Sequence, residues 1–259
     1  MFIKQAITCA ANAAAEWRLE MKTIGIMGGM GPMATVALMQ KVIVATKAIK
    51  DQEHIHTVID NNTNIPDRSE CIFGKGPSPV PEMVKSAERL TAMGADVIII
   101  GCNTAHYFLP EVQKQVKTPF INMIEETAKF CAEEGYRTLG LLASAGTCAS
   151  GIYKKEFETL GMTLLHPEEA EQEIIHEMIY DGVKATNYNY DAAPAQNVLR
   201  AMEQRGVEAF ILGCTEVPVA VQMYKLQGCF VDATEVLAEK AVAWAGGEVI
   251  SSLPRRNNK

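Results

Sequence analysis

Two cysteines follow glycine at the end of an apolar run, in Gly101-Cys102-Asn103-Thr104-Ala105-His106 and in Gly213-Cys214-Thr215-Glu216. Where a strand turns into a helix, unpaired N–H groups and the helix macrodipole favour the thiolate, so both thiols are expected to have lowered pKa values. A single such cysteine is more often a small core residue. Two facing thiols can close a disulfide, share a metal ion, or act as base and acid on opposite faces of one carbon. The third use inverts a stereocentre, because one group removes a proton and the other returns it from the far side.

An internal repeat puts the two cysteines at equivalent positions. Lys22-Thr23-Ile24-Gly25-Ile26-Met27 returns as Arg137-Thr138-Leu139-Gly140-Leu141-Leu142. GADVIIIGC, ending at Cys102, returns as GVEAFILGC, ending at Cys214. Pro119-Phe120-Ile121-Asn122 with Glu125 returns as Cys229-Phe230-Val231-Asp232 with Glu235. The offsets of 115, 112 and 110 residues keep the same order, which implies two homologous halves. The third use of the thiols fits such a duplication best.

The elements that must position these turns are strands and helices in alternation. Apolar runs at 24–27, 97–100, 139–143 and 209–212 have the length and branching of strands covered on both faces. Segment 80–93 carries Val80, Met83, Val84, Ala87, Leu90 and Met93 at helical spacing and stops at Gly94. Segment 195–205 repeats the pattern and stops at Gly206. The expected fold class is α/β, with two pseudo-symmetric Rossmann-like domains built on parallel sheets. Ligands in such sheets bind beyond the carboxyl ends of the strands, which puts the active site in the interdomain cleft.

With 24 Lys+Arg against 31 Asp+Glu, the 259 residues carry a net charge of −7. That excludes nucleic acid and anionic membranes as expected partners. Residues 1–20 are alanine-rich, but Gln5, Thr8 and Asn12 break the apolar run short of a signal sequence, so an appended helix is expected before a domain starting at Met21. The seven cysteines show no C-x-x-C pair and read as reduced thiols of a cytoplasmic protein. Cys9, Cys71, Cys131, Cys148 and Cys229 have no motif around them. Gly29-Met30-Gly31-Pro32-Met33-Ala34 loosely fits a dinucleotide turn, but no acidic residue ends a second strand about 20 residues on. His106 stands four residues after Cys102 without further ligand spacing, so no metal is expected there.

The paired GCNTAH and GCTE turns, the opening Ile24-Gly25-Ile26-Met27-Gly28-Gly29-Met30-Gly31-Pro32 and the repeat resemble the aspartate/glutamate racemase superfamily over roughly residues 22–245. Within it, the sequence is most similar to the aspartate racemases. The resemblance implies racemisation without PLP, metal or other cofactor, with Cys102 and Cys214 flanking the substrate Cα. It also implies that Asn103, Thr104, Ser144, Thr147 and Thr215 hold the α-carboxylate beside the glycine loop Met27, Gly28 and Gly29. N-capping is the alternative role for these polar residues. Thr63-Asn64-Ile65-Pro66-Asp67-Arg68 is similar to the motif whose arginine recognises a side-chain carboxylate, and Tyr180 to Lys184 looks like the family's matching lysine segment. Glu216 stands where glutamate racemases carry histidine and is counted with the substrate-binding residues.

In the family the third repeat segments cross to the opposite domain. The implied division is an extension 1–20, a first domain 21–118 plus 225–248, a second domain 119–224, and a polar tail 249–259. A homodimer acting on a small acidic amino acid is expected, converting L-aspartate to D-aspartate. The alternatives are a glutamate or broad-specificity racemase, another isomerase or decarboxylase of dicarboxylates, and a non-catalytic binding protein or dithiol redox sensor. Arg68 and Lys184 separate the substrates, because a neutral amino acid needs neither.

Overall fold

The structure, a computed structural model, describes residues 21–254. The expected N-terminal extension with Cys9, and the expected tail beyond 254, lie outside the described residues. In the first half, β1 (Ile24–Gly28), β2 (Thr57–Asn61) and β3 (Val97–Ile100) form a parallel sheet in the order β2-β1-β3. In the second, β4 (Thr138–Ala143), β5 (Thr163–Leu165), β6 (Ala209–Gly213) and β7 (Phe230–Asp232) form a parallel sheet in the order β5-β4-β6-β7. Phe230 pairs with Phe210 as Phe120 bridges to Ile98, so the third repeat segment takes the same edge in each half's own sheet.

Helices α1 (Pro32–Ala45), α2 (Arg68–Ile72), α3 (Val80–Ala92) and α4 (Leu109–Gln113) belong to the first half. After the crossing come α5 (Met123–Glu133), α6 (Ala145–Ser150), α7 (Ile152–Thr159), α8 (Glu169–Glu177), α9 (Ala193–Gln204), α10 (Glu216–Met223) and α11 (Ala233–Trp244). The helix expected at 80–93 is α3, whose Val80, Met83, Ala87 and Leu90 are buried and whose chain reverses at Gly94 with φ +91°. Among the described residues no helix is long and apolar enough to cross a membrane.

Strand alternation divides the apolar side chains between three cores. Ile24, Ile26, Val97 and Ile99 of the first sheet share one central core with Leu139, Leu141, Ala143, Ala209, Ile211 and Val231 of the second. Met27, Ile98 and Ile100 face an outer core under α3 and α4, while Leu142, Phe210 and Leu212 face another under α8, α9 and α10. Each fully buried Leu, Ile, Val or Phe contributes about 1.5–3 kcal/mol, so a shared central core holds the halves together strongly.

Helix α5 packs on α7 and α11, and α11 packs on α1 of the first half. The crossings therefore follow the edge strands: relative to the division at 119 and 225, each edge strand stays with its own sheet and the helix after it reaches across. A strand can complete its ladder only beside its neighbour, whereas the helix finds apolar surface in the common core. Residues 249–253 also dock, with Val249 bridging Thr46 and Leu253 buried.

Candidate active site

Register carries the two turns to matching places. Met27 pairs with Ile100, so Gly28 ends β1 and Gly29 leaves the sheet beside Gly101 and Cys102. Ala143 pairs with Gly213, so Ser144 leaves beside Cys214. Gly29 has φ +90°, and a Cβ there would lie 2.2 Å from the Asn62 carbonyl oxygen, so only glycine fits. Its N–H donates to the Thr35 hydroxyl at 2.9 Å and is already engaged.

The Cys102 turn is tied to the second half. Thr104 Oγ1 and Thr147 Oγ1 are 2.8 Å apart, and Tyr153 donates from its hydroxyl to Asn103 Oδ1 at 2.6 Å. Asn103 Nδ2 is buried without a partner. His106 is also buried: Met123 N–H donates to its Nε2 at 3.2 Å, so Nδ1 carries the proton and donates to the Cys102 carbonyl at 2.9 Å. Burial pushes its pKa down to about 4. Both ring nitrogens are committed, which makes His106 a neutral brace of the turn.

At the second turn, the Cys214 thiol donates to Glu216 Oε2 at 2.9 Å and the Thr215 hydroxyl donates to the same oxygen at 3.0 Å. Burial raises the Cys214 pKa, the Glu216 carboxylate raises it further, and Cys102 adds to the same effect. The expectation of a lowered pKa at this helix end is thus corrected: dehydration and a carboxylate outweigh the dipole of an eight-residue helix. On the other side, Cys102 leads into the 3₁₀ turn Thr104–Tyr107 instead of an α-helix. An open cleft of about 390 Å³ between α1 and α10 reaches Thr215, with Gln40, Lys41, Gln222 and Asp232 on its walls.

Ser144 caps α6, its hydroxyl accepting from Thr147 N–H at 3.4 Å, whereas Asn103 and Thr215 make no side-chain cap bond. N-capping therefore describes Ser144 alone among these. The Thr63 to Arg68 segment is brought to the second half by α2, which packs on α6 so closely that a Cβ on Gly146 would meet the Ser69 hydroxyl at 2.2 Å. Arg68 donates through one terminal nitrogen to the carbonyls of Pro66, at 3.0 Å, and Ile65, at 3.4 Å. Its Nε is buried without a partner. Thr63 is exposed in the preceding turn. Lys184 is exposed, with its ammonium 4.0 Å above the Tyr180 ring, and ends the helical segment Met178–Lys184 that packs on α10.

Tyr153 is the residue that motif reading misses. It aligns by the first repeat offset with Leu38, so a hydroxyl-bearing ring in place of an aliphatic core residue was the available signal. The remaining described cysteines are free, and burial raises the pKa of Cys131 and pushes that of Cys148 up to about 11.

Residues 27–241 match the model of the Asp/Glu/hydantoin racemase family. A broad-specificity amino-acid racemase of Bacillus subtilis is 25% identical over 228 residues, covering 85% of this chain and 96% of its own. The solved Picrophilus torridus aspartate racemase superposes with a TM-score of 0.72 at 32% identity, covering 88% of this chain and 96% of that one. Glutamate racemase of Francisella tularensis, solved with D-glutamate, shares the fold alone, at 16% identity and a TM-score of 0.60 over 87% of this chain and 81% of that one. Two parallel sheets, equivalent Gly-Cys strand ends and a match across most of its length make this chain a member of the Asp/Glu/hydantoin racemase family.

Proposed function

We propose that the protein racemises aspartate by a two-base mechanism on Cys102 and Cys214. The observation that carries this reading is the placement of the two thiols at equivalent strand ends of pseudo-symmetric sheets. In one direction the Cys102 thiolate takes the α-proton, breaking Cα–H and forming S–H. The Cys214 thiol then gives its proton to the opposite face, and the roles exchange for the other enantiomer. Charge developing on the substrate is met by Asn103 Nδ2, a buried donor already held in place. Arg68 turns an unpartnered Nε toward use and supplies the cation for a second carboxylate.

A broader substrate range is the second reading. The Bacillus relative is named for broad specificity, and the Lys184 ammonium lies over the Tyr180 ring. Incubation with L- and D-aspartate, glutamate and alanine in D₂O decides both questions. Chirality loss with one α-deuterium per turnover, fastest on aspartate, is the expected result; equal rates on alanine favour the broad reading, and no deuterium uptake overturns both.

Two further parts of the reading concern setting. The six described cysteines are unpaired, which supports a reducing compartment such as the cytoplasm. Exposed Met33, Val36 and Ile43 on α1, with Ile59 on β2, form an uncharged apolar face that supports a homodimer. Sedimentation at micromolar concentration tests the dimer, a monomer being the result against it.

A further inference from the structure

We propose that Tyr153 is a positioning residue for substrate binding, reaching from the second half to set the Asn103 amide so that Nδ2 faces the substrate carboxylate. The inference rests on the amino-acid reading above and adds to it a residue that no motif carries. Tyr153 is 1% exposed, with its ring in the central core, and its hydroxyl donates to Asn103 Oδ1 at 2.6 Å. A carboxamide can present either its oxygen or its nitrogen in a given direction by turning over. A hydroxyl donor on Oδ1 fixes that choice and sends the two N–H groups of Nδ2 the other way.

Nδ2 is then a donor without an acceptor on a residue only 3% exposed. A buried N–H left unpaired costs about 1–3 kcal/mol, and such a group persists where a ligand completes it. The Asn103 side chain makes no cap bond to the turn that follows it, so capping does not account for it. Packing does not require the hydroxyl either. The position equivalent to Tyr153 by the repeat is Leu38, a buried aliphatic residue beneath its own half's Gly101. At the second turn, by contrast, Thr215 and Glu216 bond to each other. The cross-half tie at Asn103 is a feature of the first turn, shared by its neighbour Thr104 through Thr147.

The test is a double-mutant cycle on kcat/KM for the amino acid turned over fastest. Tyr153→Phe removes one oxygen and is expected to lower kcat/KM about tenfold, the worth of a lost buried hydrogen bond and its orientation. Asn103→Ala should lower it at least as far. In the Asn103→Ala background Tyr153→Phe should add less than about twofold, because the hydroxyl acts only through the amide. A merely structural tyrosine would lower the rate by the same factor in both backgrounds, and that result overturns the proposal, as does unchanged kcat/KM in Tyr153→Phe. Asn103→Asp keeps the acceptor for Tyr153 and replaces Nδ2 by oxygen, so the reading survives a poorly folding Phe variant. It should lose more than tenfold through a raised KM, and a wild-type KM contradicts the assignment. Absence of α-deuterium uptake by the wild type sinks the substrate reading with it, whereas uptake with an additive cycle sinks only the role of Tyr153.

Discussion

The Cys214 thiol donates a 2.9 Å hydrogen bond to the carboxylate of Glu216, two residues further along the chain. Burial first, and then the negative carboxylate, which opposes a second negative charge, keep the sulfur protonated. The two cysteines are therefore equivalent in position along their strands and unequal in chemistry. Cys102 has no carboxylate in its turn, and the histidine there has both nitrogens engaged. In the proposed mechanism the resting enzyme thus offers Cys214 as the acid.

Removing the charge of Glu216 while keeping an acceptor oxygen tests this asymmetry. Glu216→Gln is expected to lower the Cys214 pKa, because the carboxylate raises it both through space and through the hydrogen bond. Alkylation by iodoacetamide, followed at Cys214 by peptide mass spectrometry in a Cys102→Ser background, should become several-fold faster near pH 8. Slower alkylation would mean that Glu216 activates the thiol. Since the two enantiomers are equal in energy, kcat/KM must change equally in both directions, and any asymmetry belongs in kcat and KM separately.

Each thiol is expected to be indispensable. Cys102→Ala and Cys214→Ala should each reduce racemisation by at least about 10²-fold, the range of a lost general acid or base. The double variant should fall little further, because the two groups act as one unit. Chiral chromatography of aspartate after long incubation reads the rate, and near wild-type turnover in either single variant refutes the two-base scheme.

The two candidate cations should behave differently. Arg68 holds a buried, unpartnered Nε beside the α2–α6 contact, while Lys184 lies exposed on Tyr180. Arg68→Met is expected to lower aspartate turnover about 10- to 100-fold, as for a lost hydrogen bond to a charged group, and to leave alanine turnover unchanged. Lys184→Met should alter either rate less than about threefold. Equal losses on aspartate and alanine from Arg68→Met would assign the guanidinium to the fold instead.

Much of this arrangement was legible in the sequence because it was written twice. Strands bounded by glycine, the α3 stripe ending at Gly94, and the pairing of Cys102 with Cys214 each follow from local pattern or from the repeat. The edge strands β2 and β5 were not legible, since Thr57–Asn61 and Thr163–Leu165 lack a buried run on both faces. Nor were contacts between halves. Nothing within the window around Asn103 announces that Tyr153, fifty residues on, holds its amide. The Cys214 pKa escaped for the same reason: helix-end chemistry is readable from spacing, whereas dehydration is a property of the folded neighbourhood.

His106 ties the fold to pH. Met123 N–H requires an unprotonated Nε2 and the Cys102 carbonyl requires a protonated Nδ1, so the neutral ring is the one the fold accepts. Burial accordingly holds its pKa at about 4 in the folded chain, against about 6.5 when unfolded. Between those values the unfolded chain binds the extra proton, so stability is full above about pH 6.5 and is lost as pH falls toward 4. The gap corresponds to about 3 kcal/mol at most. Urea unfolding at pH 7 and pH 4.5 should show the wild type losing roughly 2–3 kcal/mol more than His106→Gln, whose amide can donate and accept at the same two places without titrating. Equal losses in the two proteins would mean that the folded ring takes up its proton near the ordinary pKa, and would make His106 a candidate proton donor beside Cys102.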